Sequence, residues 1–193
     1  MEQGLVLSSV LLWILVLCNL VLTLALIRRA NAGSLPREGL KEGQPAPDFT
    51  VETLSGQRVT LATYAQRTVA LVFVEPTCGP CREALPSYEA LGPKATQSGV
   101  DLVLVSMADA EQTRRFVNEF NIQLPVLFAP RESNSFMQDY KLSTTPSYCL
   151  IDQQGKVQAT GFTNLKAGKW KALAESWEAN TTRKTTMAVN ERR

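Results

Sequence analysis

The tetrapeptide Cys78-Gly79-Pro80-Cys81 places two thiols within disulfide reach across a single turn. It follows the apolar run at residues 69–74, which is typical of a strand buried on both faces, and it precedes a predicted helix. At a helix start, free backbone N–H groups and the helix dipole favour an anion, so we expect the pKa of Cys78 to lie below its reference of about 8.5. The predicted chemistry is attack by the Cys78 thiolate on a disulfide, followed by resolution by the more buried Cys81.

Three other interpretations of the cysteine pair stay open at this point. Half of a zinc site would need further ligands, and beyond the pair and Cys18 the sequence offers only Cys149 and no histidine. A purely structural disulfide would close a very small loop and restrict the unfolded chain little. Two unpaired core thiols are the third alternative. The placement of the motif between a strand and a helix favours redox chemistry over all three.

The composition bounds the classes of function. With 193 residues, 45% hydrophobic and 20% charged, the chain suits one ordinary domain with appendages. A net charge of +2 without a basic block argues against nucleic acid as a partner. The absence of histidine excludes a Ser-His-Asp triad, a Cys-His pair and His-ligated zinc or haem. We therefore expect no metal and no cofactor other than a redox-active disulfide.

Alternating strand and helix patterns surround the cysteine motif and predict an α/β fold with a mixed sheet. Strands are indicated over residues 49–54, 59–61, 69–74, 100–106, 124–128, 147–152 and 156–160. Helices are indicated over residues 81–91, 110–120, 133–140 and 168–179. The buried strand before the motif and the helix after it are the two elements that must position the thiols.

A proline opens one of the later strands, in the segment Ser143-Thr144-Thr145-Pro146-Ser147. A cis X-Pro bond at such a place usually marks a tight and constrained site. The alternative is an ordinary trans proline at a strand edge, which raw frequency favours because only about 5–6% of X-Pro bonds are cis. The residues by themselves leave both alternatives open.

An apolar run without a charged residue occupies residues 5–27. A helix of about 23 residues reaches about 35 Å, enough to cross a bilayer core of about 30 Å, so we predict a transmembrane anchor over residues 1–29. A cleaved signal peptide is the alternative, since Ala30-Asn31-Ala32 fits a cleavage site. The length of the run and the lack of a basic residue before it favour the uncleaved anchor.

The other domain boundaries follow from local composition. Residues 30–43 are small, charged and Pro/Gly-containing, which predicts a linker. Residues 44–179 hold the alternating strands and helices and are predicted to form the folded domain. Residues 180–193 have little to bury, and we predict a mobile C-terminal tail.

Three segments together resemble the redoxin/TlpA branch of the thioredoxin superfamily: APDFTVETLSGQRVTL, VFVEPTCGPCREALP and STTPSYCLIDQQGKV. The resemblance covers residues 43–162. An N-terminal anchor joined to a Pro-Thr-Cys-x-x-Cys motif is most similar to the methylamine-utilisation MauD family. The resemblance implies a thioredoxin-like fold, with a central mixed sheet flanked by helices, and a thiol–disulfide oxidoreductase that acts on protein thiols or disulfides.

The resemblance also assigns expected roles around the cysteine pair. Pro146 would be a cis-proline that faces the disulfide, and Thr145 would offer backbone contacts to a bound substrate. Gly79 and Pro80 would complete the substrate-binding surface. The domain would lie in the periplasm or otherwise outside the cytoplasm, tethered to the inner membrane and served by a membrane electron-transfer partner. The positive-inside rule alone points the other way, because three arginines follow the apolar run; we follow the resemblance.

Three positions depart from the family pattern. Thioredoxins carry a buried Asp six residues before the first cysteine, where this chain has Val72. Many TlpA-like proteins carry Glu three residues after the second cysteine, where this chain has Ala84, and the usual Trp before the first cysteine is Thr77. An acid that assists the second cysteine would then be Glu75 or Glu83. Each of these also fits an ordinary solvated surface carboxylate.

Several functions fit these patterns. The leading prediction is disulfide exchange on proteins, with maturation of methylamine dehydrogenase as the MauD-like case and cytochrome c maturation as the TlpA-like case. A peroxiredoxin-like peroxidase would need Thr three residues before its reactive cysteine, where Glu75 precedes Cys78. A non-catalytic, membrane-bound assembly factor is a further alternative. The direction of exchange is left open, and Cys149 is predicted to be a small buried hydrophobe.

Overall fold

The computed structural model describes residues 2–32, 39–163 and 168–190, with side chains over residues 9–25, 39–163 and 168–180. The chain divides into two units, Met1–Arg37 and Glu38–Arg193. Every strand that the structure describes belongs to the second unit.

The first unit contains a single described helix, α1 (Glu2–Ala32), whose apolar side chains such as Trp13 and Leu22 are exposed. Among the described residues, no helix is both long enough and apolar enough to cross a bilayer. The structure therefore does not support the expected anchor over residues 1–29. Within the apolar run at residues 5–27, side chains are described only for residues 9–25. The helix also continues to Ala32, past the predicted start of the linker at residue 30.

The second unit is a layered α/β structure around one sheet. Its strands are β1 (Thr50–Thr53), β2 (Arg58–Thr60), β3 (Thr68–Val74), β4 (Val100–Ser106), β5 (Val126–Phe128), β6 (Ser147–Ile151) and β7 (Val157–Phe162). Its helices are α2 (Gly79–Gln97), α3 (Ala110–Phe120), α4 (Phe136–Asp139) and α5 (Gly168–Asn190), and a 3₁₀ turn covers Leu61–Tyr64. The predicted α/β class with a mixed sheet is confirmed, and β4 and α3 match their predicted bounds.

The seven strands form one mixed sheet in the order β2-β1-β5-β4-β3-β6-β7. Near the middle, β3 pairs in parallel with β4 and antiparallel with β6. From Val69 to Val74 every side chain of β3 is buried. The uninterrupted apolar sequence of this strand suits a position that is covered on both faces of the sheet. The cysteine motif therefore follows the most buried strand of the fold.

Two apolar layers cover the sheet, one on each face. The first apolar layer is built around the aromatic side chains of Phe49, Phe73, Phe136 and Tyr140. The second apolar layer contains Cys81, Leu85, Tyr88, Tyr148, Trp170 and Trp177. Successive side chains of β3 alternate between the layers, as the period of two along a strand requires. The second layer joins the helix that carries the cysteine motif to α5.

Both long helices of this unit extend beyond their predicted ends. Helix α2 reaches Gln97 rather than residue 91 and contains Pro86 and Pro93. Its later turns bury Leu91 and Ala95 in the second apolar layer, and this packing offsets the local cost of the prolines. Helix α5 continues to Asn190, so the backbone of the predicted tail is helical up to that residue; residues 191–193 lie outside the described part.

Part of the predicted linker belongs to the folded domain. Leu40 is buried in the first apolar layer, and the backbone N–H of Gly39 donates to the carbonyl of Lys141 at 2.8 Å. Gly39 has a φ of +98°, and a Cβ there would lie 2.5 Å from Cβ of Thr160. A small residue is therefore required where the chain enters the domain. The end of the predicted linker, from Gly39, thus belongs to the folded domain, and residues 33–38 lie outside the described part.

Candidate functional site

Cys78 and Cys81 form a disulfide at the beginning of α2, with their Cα atoms 5.2 Å apart. Cys78 is the N-cap residue, in an extended conformation, and its Sγ accepts a hydrogen bond from the backbone N–H of Cys81 at 3.2 Å. Pro80 lies in the first turn, where its missing N–H has no partner in the helix. The structure thus confirms the predicted arrangement of strand, cysteine motif and helix.

The two sulfurs differ in their access to solvent. Cys81 is fully buried in the second apolar layer, whereas Cys78 is half-buried and borders that layer. Gly79 and Pro80, which separate them, are exposed. A substrate that approaches from solvent therefore meets Cys78 first. This difference in exposure favours the predicted order, in which Cys78 attacks and Cys81 resolves, and that order stays a prediction.

The loop before β6 lies directly against Cys78. The peptide bond between Thr145 and Pro146 is cis, as the family resemblance implied. The carbonyl oxygen of Thr145 is 3.6 Å from Sγ of Cys78. Ser147, fully buried, donates its hydroxyl to the carbonyl of Thr144 at 2.6 Å. The fold thus brings together the two predicted parts of the site, which are far apart in the sequence.

None of the carboxylate side chains that the structure describes is fully buried, so Cys81 has no buried acid beside it. Val72 is fully buried in the second apolar layer, at the position where thioredoxins carry their acid. Glu83 is exposed to solvent. Glu75 is half-buried, and its Oε2 lies 3.6 Å from Nη2 of Arg131. Of the two candidate acids, Glu75 is the one held beside the cysteine loop, and its backbone carbonyl accepts from the N–H of Cys78 at 3.0 Å.

Arg82 fixes the loop that leads into the motif, a role that the sequence analysis missed. Its Nη1 donates to the carbonyl of Pro76 at 3.2 Å, and its guanidinium pairs with Glu119 of α3. The guanidinium also lies over the ring of Phe120, 4.7 Å from the centroid. The only signal in the sequence is that a basic residue directly follows the second cysteine.

Phe162 is a second residue that the sequence analysis did not single out. It is the last residue of β7, is 46% exposed, and pairs in register with Ser147. Outside α1, it is the only large hydrophobic side chain among the described residues that is exposed. Its cross-strand partner Ser147 directly follows Pro146.

Cys149 takes no part in this site. It lies on β6 in the first apolar layer, and it is fully buried. Burial raises the pKa of its thiol from 9.0 to about 12. The prediction of a small buried hydrophobe at this position agrees with these surroundings. Within the part of the chain that the structure describes, no group of three or more Cys, Asp or Glu side chains is arranged to hold a metal ion.

Comparison with known proteins relates both the sequence and the fold to thiol–disulfide enzymes. The family model for Redoxin matches residues 41–174. Thioredoxin-like protein YneN of Bacillus subtilis is 32% identical over 124 residues, which cover 62% of this chain and 71% of that protein. Thiol-disulfide oxidoreductase ResA of Bacillus thuringiensis is 30% identical over 125 residues, which cover 63% of this chain and 69% of that protein.

A solved structure gives the same result for the fold. The crystal structure of a proposed thiol:disulfide interchange protein DsbE from Chlorobium tepidum superposes with a TM-score of 0.60 at 26% identity. The match covers 75% of this chain and 97% of that one. The predicted thioredoxin-like fold, with helices flanking a mixed sheet, is therefore confirmed for the second unit.

Proposed function

Given that this chain belongs to the Redoxin family and is a thiol–disulfide oxidoreductase, we propose that it acts on protein disulfides through Cys78 and Cys81. The observation that carries the proposal is the arrangement of the two sulfurs. The Sγ of Cys78, a half-buried residue, lies 3.6 Å from the carbonyl of Thr145 and is bonded to the fully buried Cys81. No cofactor is required for this chemistry beyond the cysteine pair itself.

In the reducing direction the reaction has two exchange steps. The thiolate of Cys78 attacks one sulfur of the substrate disulfide, the substrate S–S bond breaks, and one substrate thiolate leaves. Cys81, once deprotonated, then attacks Sγ of Cys78, so that the mixed disulfide breaks and the second substrate thiolate leaves. Two electrons pass to the substrate, and a dithiol partner must reduce the new Cys78–Cys81 disulfide. The oxidising direction is the reverse of these steps.

The surface around Cys78 fits a polypeptide segment better than a small thiol. Gly79 and Pro80 are exposed, and Thr145 and Pro146 are half-buried. An extended segment bound here could pair with the backbone of Thr145 and cover the exposed residues of the motif. A small thiol would not cover this surface. These contacts support a protein substrate.

Replacement of Cys81 by serine tests the assignment of the two sulfurs. In Cys81→Ser the mixed disulfide cannot be resolved, so we expect a covalent adduct with a model protein disulfide, visible by non-reducing electrophoresis and mass spectrometry. In Cys78→Ser no adduct should form. Cys149→Ser serves as the matched control and should behave as the parent chain. Adduct formation by Cys78→Ser but not by Cys81→Ser would contradict the assignment.

The reduction potential of the pair decides the direction of exchange. Equilibration of the chain with glutathione or dithiothreitol buffers gives this value directly. A potential near about −270 mV would identify a reductant, and one between about −120 and −180 mV an oxidant or isomerase. The Gly-Pro pair between the cysteines favours the reducing value. If no disulfide formed at any potential, the proposed function would be wrong.

We further propose that the catalytic domain works outside the cytoplasm, tethered to the inner membrane by the N-terminal helix. The uncharged run at residues 5–27 supports a tether, although no described helix meets the requirements of a span. Cell fractionation tests this. The full chain should sediment with membranes and resist extraction by carbonate, and its cysteine domain should be accessible to protease added outside the cytoplasmic membrane. Recovery from the soluble fraction would contradict the tether.

The physiological substrate is proposed from the MauD-like combination of an N-terminal helix with Pro-Thr-Cys-x-x-Cys. That combination supports a cysteine-rich secreted subunit, such as that of methylamine dehydrogenase, as the partner; a cytochrome c precursor is the TlpA-like alternative. Covalent capture with Cys81→Ser in the native host, followed by mass spectrometry, distinguishes them. Capture of neither class of protein would overturn this part of the proposal.

A further inference from the structure

A buried hydrogen bond connects α2 to the segment that follows β7. The hydroxyls of Tyr88 and Thr163 are within hydrogen-bonding distance, and either can be the donor. Tyr88 is fully buried and Thr163 is 7% exposed. A hydrogen bond between two such groups is shielded from water, so its loss would leave a buried hydroxyl without a partner.

Thr163 also contacts the loop that faces Cys78. Its backbone N–H donates to the carbonyl of Pro146 at 3.3 Å. The carbonyl of the preceding residue, Thr145, is the one that lies 3.6 Å from Sγ of Cys78. Pro146 has no backbone N–H, so its carbonyl is the only backbone group through which a hydrogen bond can hold this residue in place. Thr163 therefore connects the interior of the domain to the substrate-facing loop.

The hydroxyl of Tyr88 is held in one place by the packing of α2. Tyr88 lies seven residues after Cys81, two turns along the same face of the helix. Its ring packs edge-on against Trp170, with centroids 6.0 Å apart. The hydroxyl is protonated and able to donate at neutral pH, and burial raises its pKa further, to about 12. Cys78 is thus connected to the Pro146 loop in two ways. One is the direct contact with Thr145, and the other runs along α2 to Tyr88 and through Thr163 to Pro146.

We propose that Tyr88 and Thr163 are positioning residues, whose buried hydrogen bond holds the Pro146 loop at its distance from Cys78 and so sets the affinity for a protein substrate. The inference rests on the proposed function. Neither hydroxyl touches the reacting sulfurs, and both act through the backbone of Pro146. Their loss should therefore weaken substrate binding and leave the redox properties of the cysteine pair unchanged.

The test uses substitutions that remove single hydroxyl groups from the full chain. Tyr88→Phe and Thr163→Val delete the hydrogen bond, whereas Thr163→Ser retains a hydroxyl. Tyr140→Phe is the matched control. Tyr140 is equally buried and donates to the carbonyl of Pro47 at 2.9 Å, but it lies in the first apolar layer, across the sheet from the site. If the effect of Tyr88→Phe on substrate binding came only from lower stability of the domain, Tyr140→Phe would show the same effect.

The first measurement is steady-state reduction of insulin with dithiothreitol as the electron donor. We expect Tyr88→Phe and Thr163→Val each to raise KM for insulin about five-fold, the size expected for one lost hydrogen bond, with kcat changed less than about two-fold. The double variant should show no further rise. Thr163→Ser and Tyr140→Phe should keep the parental KM, and the glutathione equilibrium of the pair should be the same in all variants. An unchanged KM in Tyr88→Phe would overturn the inference.

Amide hydrogen exchange decides the inference without relying on turnover. In the oxidised chain, the amides of Thr144, Thr145 and Ser147 should exchange several-fold faster in Tyr88→Phe than in Tyr140→Phe. Equal exchange in the two variants would overturn the positioning role even if the enzyme were active. If the parent chain neither reduced insulin nor oxidised a reduced model protein, the proposed function would fail, and faster exchange in Tyr88→Phe would still support the positioning of the loop.

Discussion

At Cys81 the surrounding side chains limit how a proton can leave the sulfur. The thiol is fully buried among apolar residues, and Val72 occupies the place of the family's buried acid. After reduction of the pair, attack by Cys81 on the mixed disulfide requires its thiolate, so another group must accept the proton. Glu75 is a half-buried carboxylate at the cysteine loop, 3.6 Å from Nη2 of Arg131, and we propose that it accepts this proton.

Neutralising Glu75 tests this route. We expect Glu75→Gln to slow the resolving step, attack by Cys81, by about ten-fold or more, in line with the usual worth of a positioned acid–base group. Glu83→Gln removes an exposed carboxylate of the same type and is the matched control, with no expected change. Stopped-flow measurement of mixed-disulfide decay reports the step directly. Equal rates in both variants would exclude a proton-transfer role for Glu75.

The thiol of Cys149 predicts a pH dependence of stability. Its pKa is raised by burial from 9.0 in the unfolded chain to about 12 in the folded state. Above pH 9 the unfolded state therefore loses this proton first, so the free energy of unfolding falls as the pH rises towards 12. In Cys149→Ala the fall between pH 9 and 11 should be shallower, as measured by urea denaturation. Identical slopes would show that the thiol is not buried as described.

The residue scale also shows what sequence patterns can and cannot predict. The placement of Cys78 and Cys81 between an apolar strand and a helix favoured a redox-active pair over a zinc site or free thiols, and the disulfide is present. The contact of Thr145 with Cys78 depended on the family resemblance, because the two residues are 67 positions apart. Arg82 and Phe162 were missed, since only a fold shows that one lies over Phe120 and that the other pairs with Ser147.

At the scale of elements, α5 packs against α2, the helix that carries the cysteine motif, in the second apolar layer. Trp170 is fully buried, and its ring lies 4.9 Å from that of Tyr148 and 5.8 Å from that of Trp177, centroid to centroid. The ring also contacts Tyr88. One side chain of α5 thus fills the space between β6 and the helix that carries the cysteines. Helix α5 is a structural part of the domain.

Truncation of Trp170 should therefore be costly. We expect Trp170→Ala to lower the free energy of unfolding by about 3–5 kcal/mol, because it removes a large buried ring and leaves a cavity. Trp170→Phe should cost less than half as much, since the Nε1–H of Trp170 is buried without a hydrogen-bond partner among the described residues. Lys171→Ala, at an exposed neighbouring position, should change stability by less than about 0.5 kcal/mol. Chemical denaturation gives all three values.

Element boundaries were predicted well where periodicity or apolar runs decide them and less well where tertiary packing does. Strand β4 and helix α3 agree with their predicted ranges because the patterns end sharply there. Helix α2 passes through Pro86 and Pro93, since its apolar face continues to be buried against the sheet. The buried position of Leu40 could not be inferred from a segment whose composition resembles a linker.

At the scale of the whole molecule, the chain separates between Arg37 and Glu38. Removal of residues 1–37 should leave a domain with the thermal unfolding midpoint and the redox equilibrium of the full chain, because the described contacts of the disulfide come from residues 38–193. Calorimetry and glutathione equilibration check this. A control deletion of residues 1–43 would also remove Gly39 and Leu40 and should lower the midpoint. Equal behaviour of the two deletions would contradict the packing of Leu40.

The overall fold was predictable because its signals are redundant. An apolar parallel strand, a cysteine motif at a helix start and a strand-opening proline each indicated the same α/β class, and the mixed sheet confirms it. The membrane anchor was predicted from a single signal, the length of an apolar run. The described helices do not support it. Independent signals that agree are thus more informative than one long run.

The sheet isolates the third thiol of the domain from the other two. Residues 38–193 contain three cysteines, and Cys149 lies in the first apolar layer, whereas Cys78 and Cys81 lie at the second. No second cysteine pair is available to which the electrons could be relayed inside the domain. Once the pair of Cys78 and Cys81 has reacted, the enzyme is inactive until a second molecule exchanges with Cys78 and restores the original redox state of the pair. Substrate and regenerating partner must therefore alternate at one surface, and an excess of either should inhibit turnover by excluding the other.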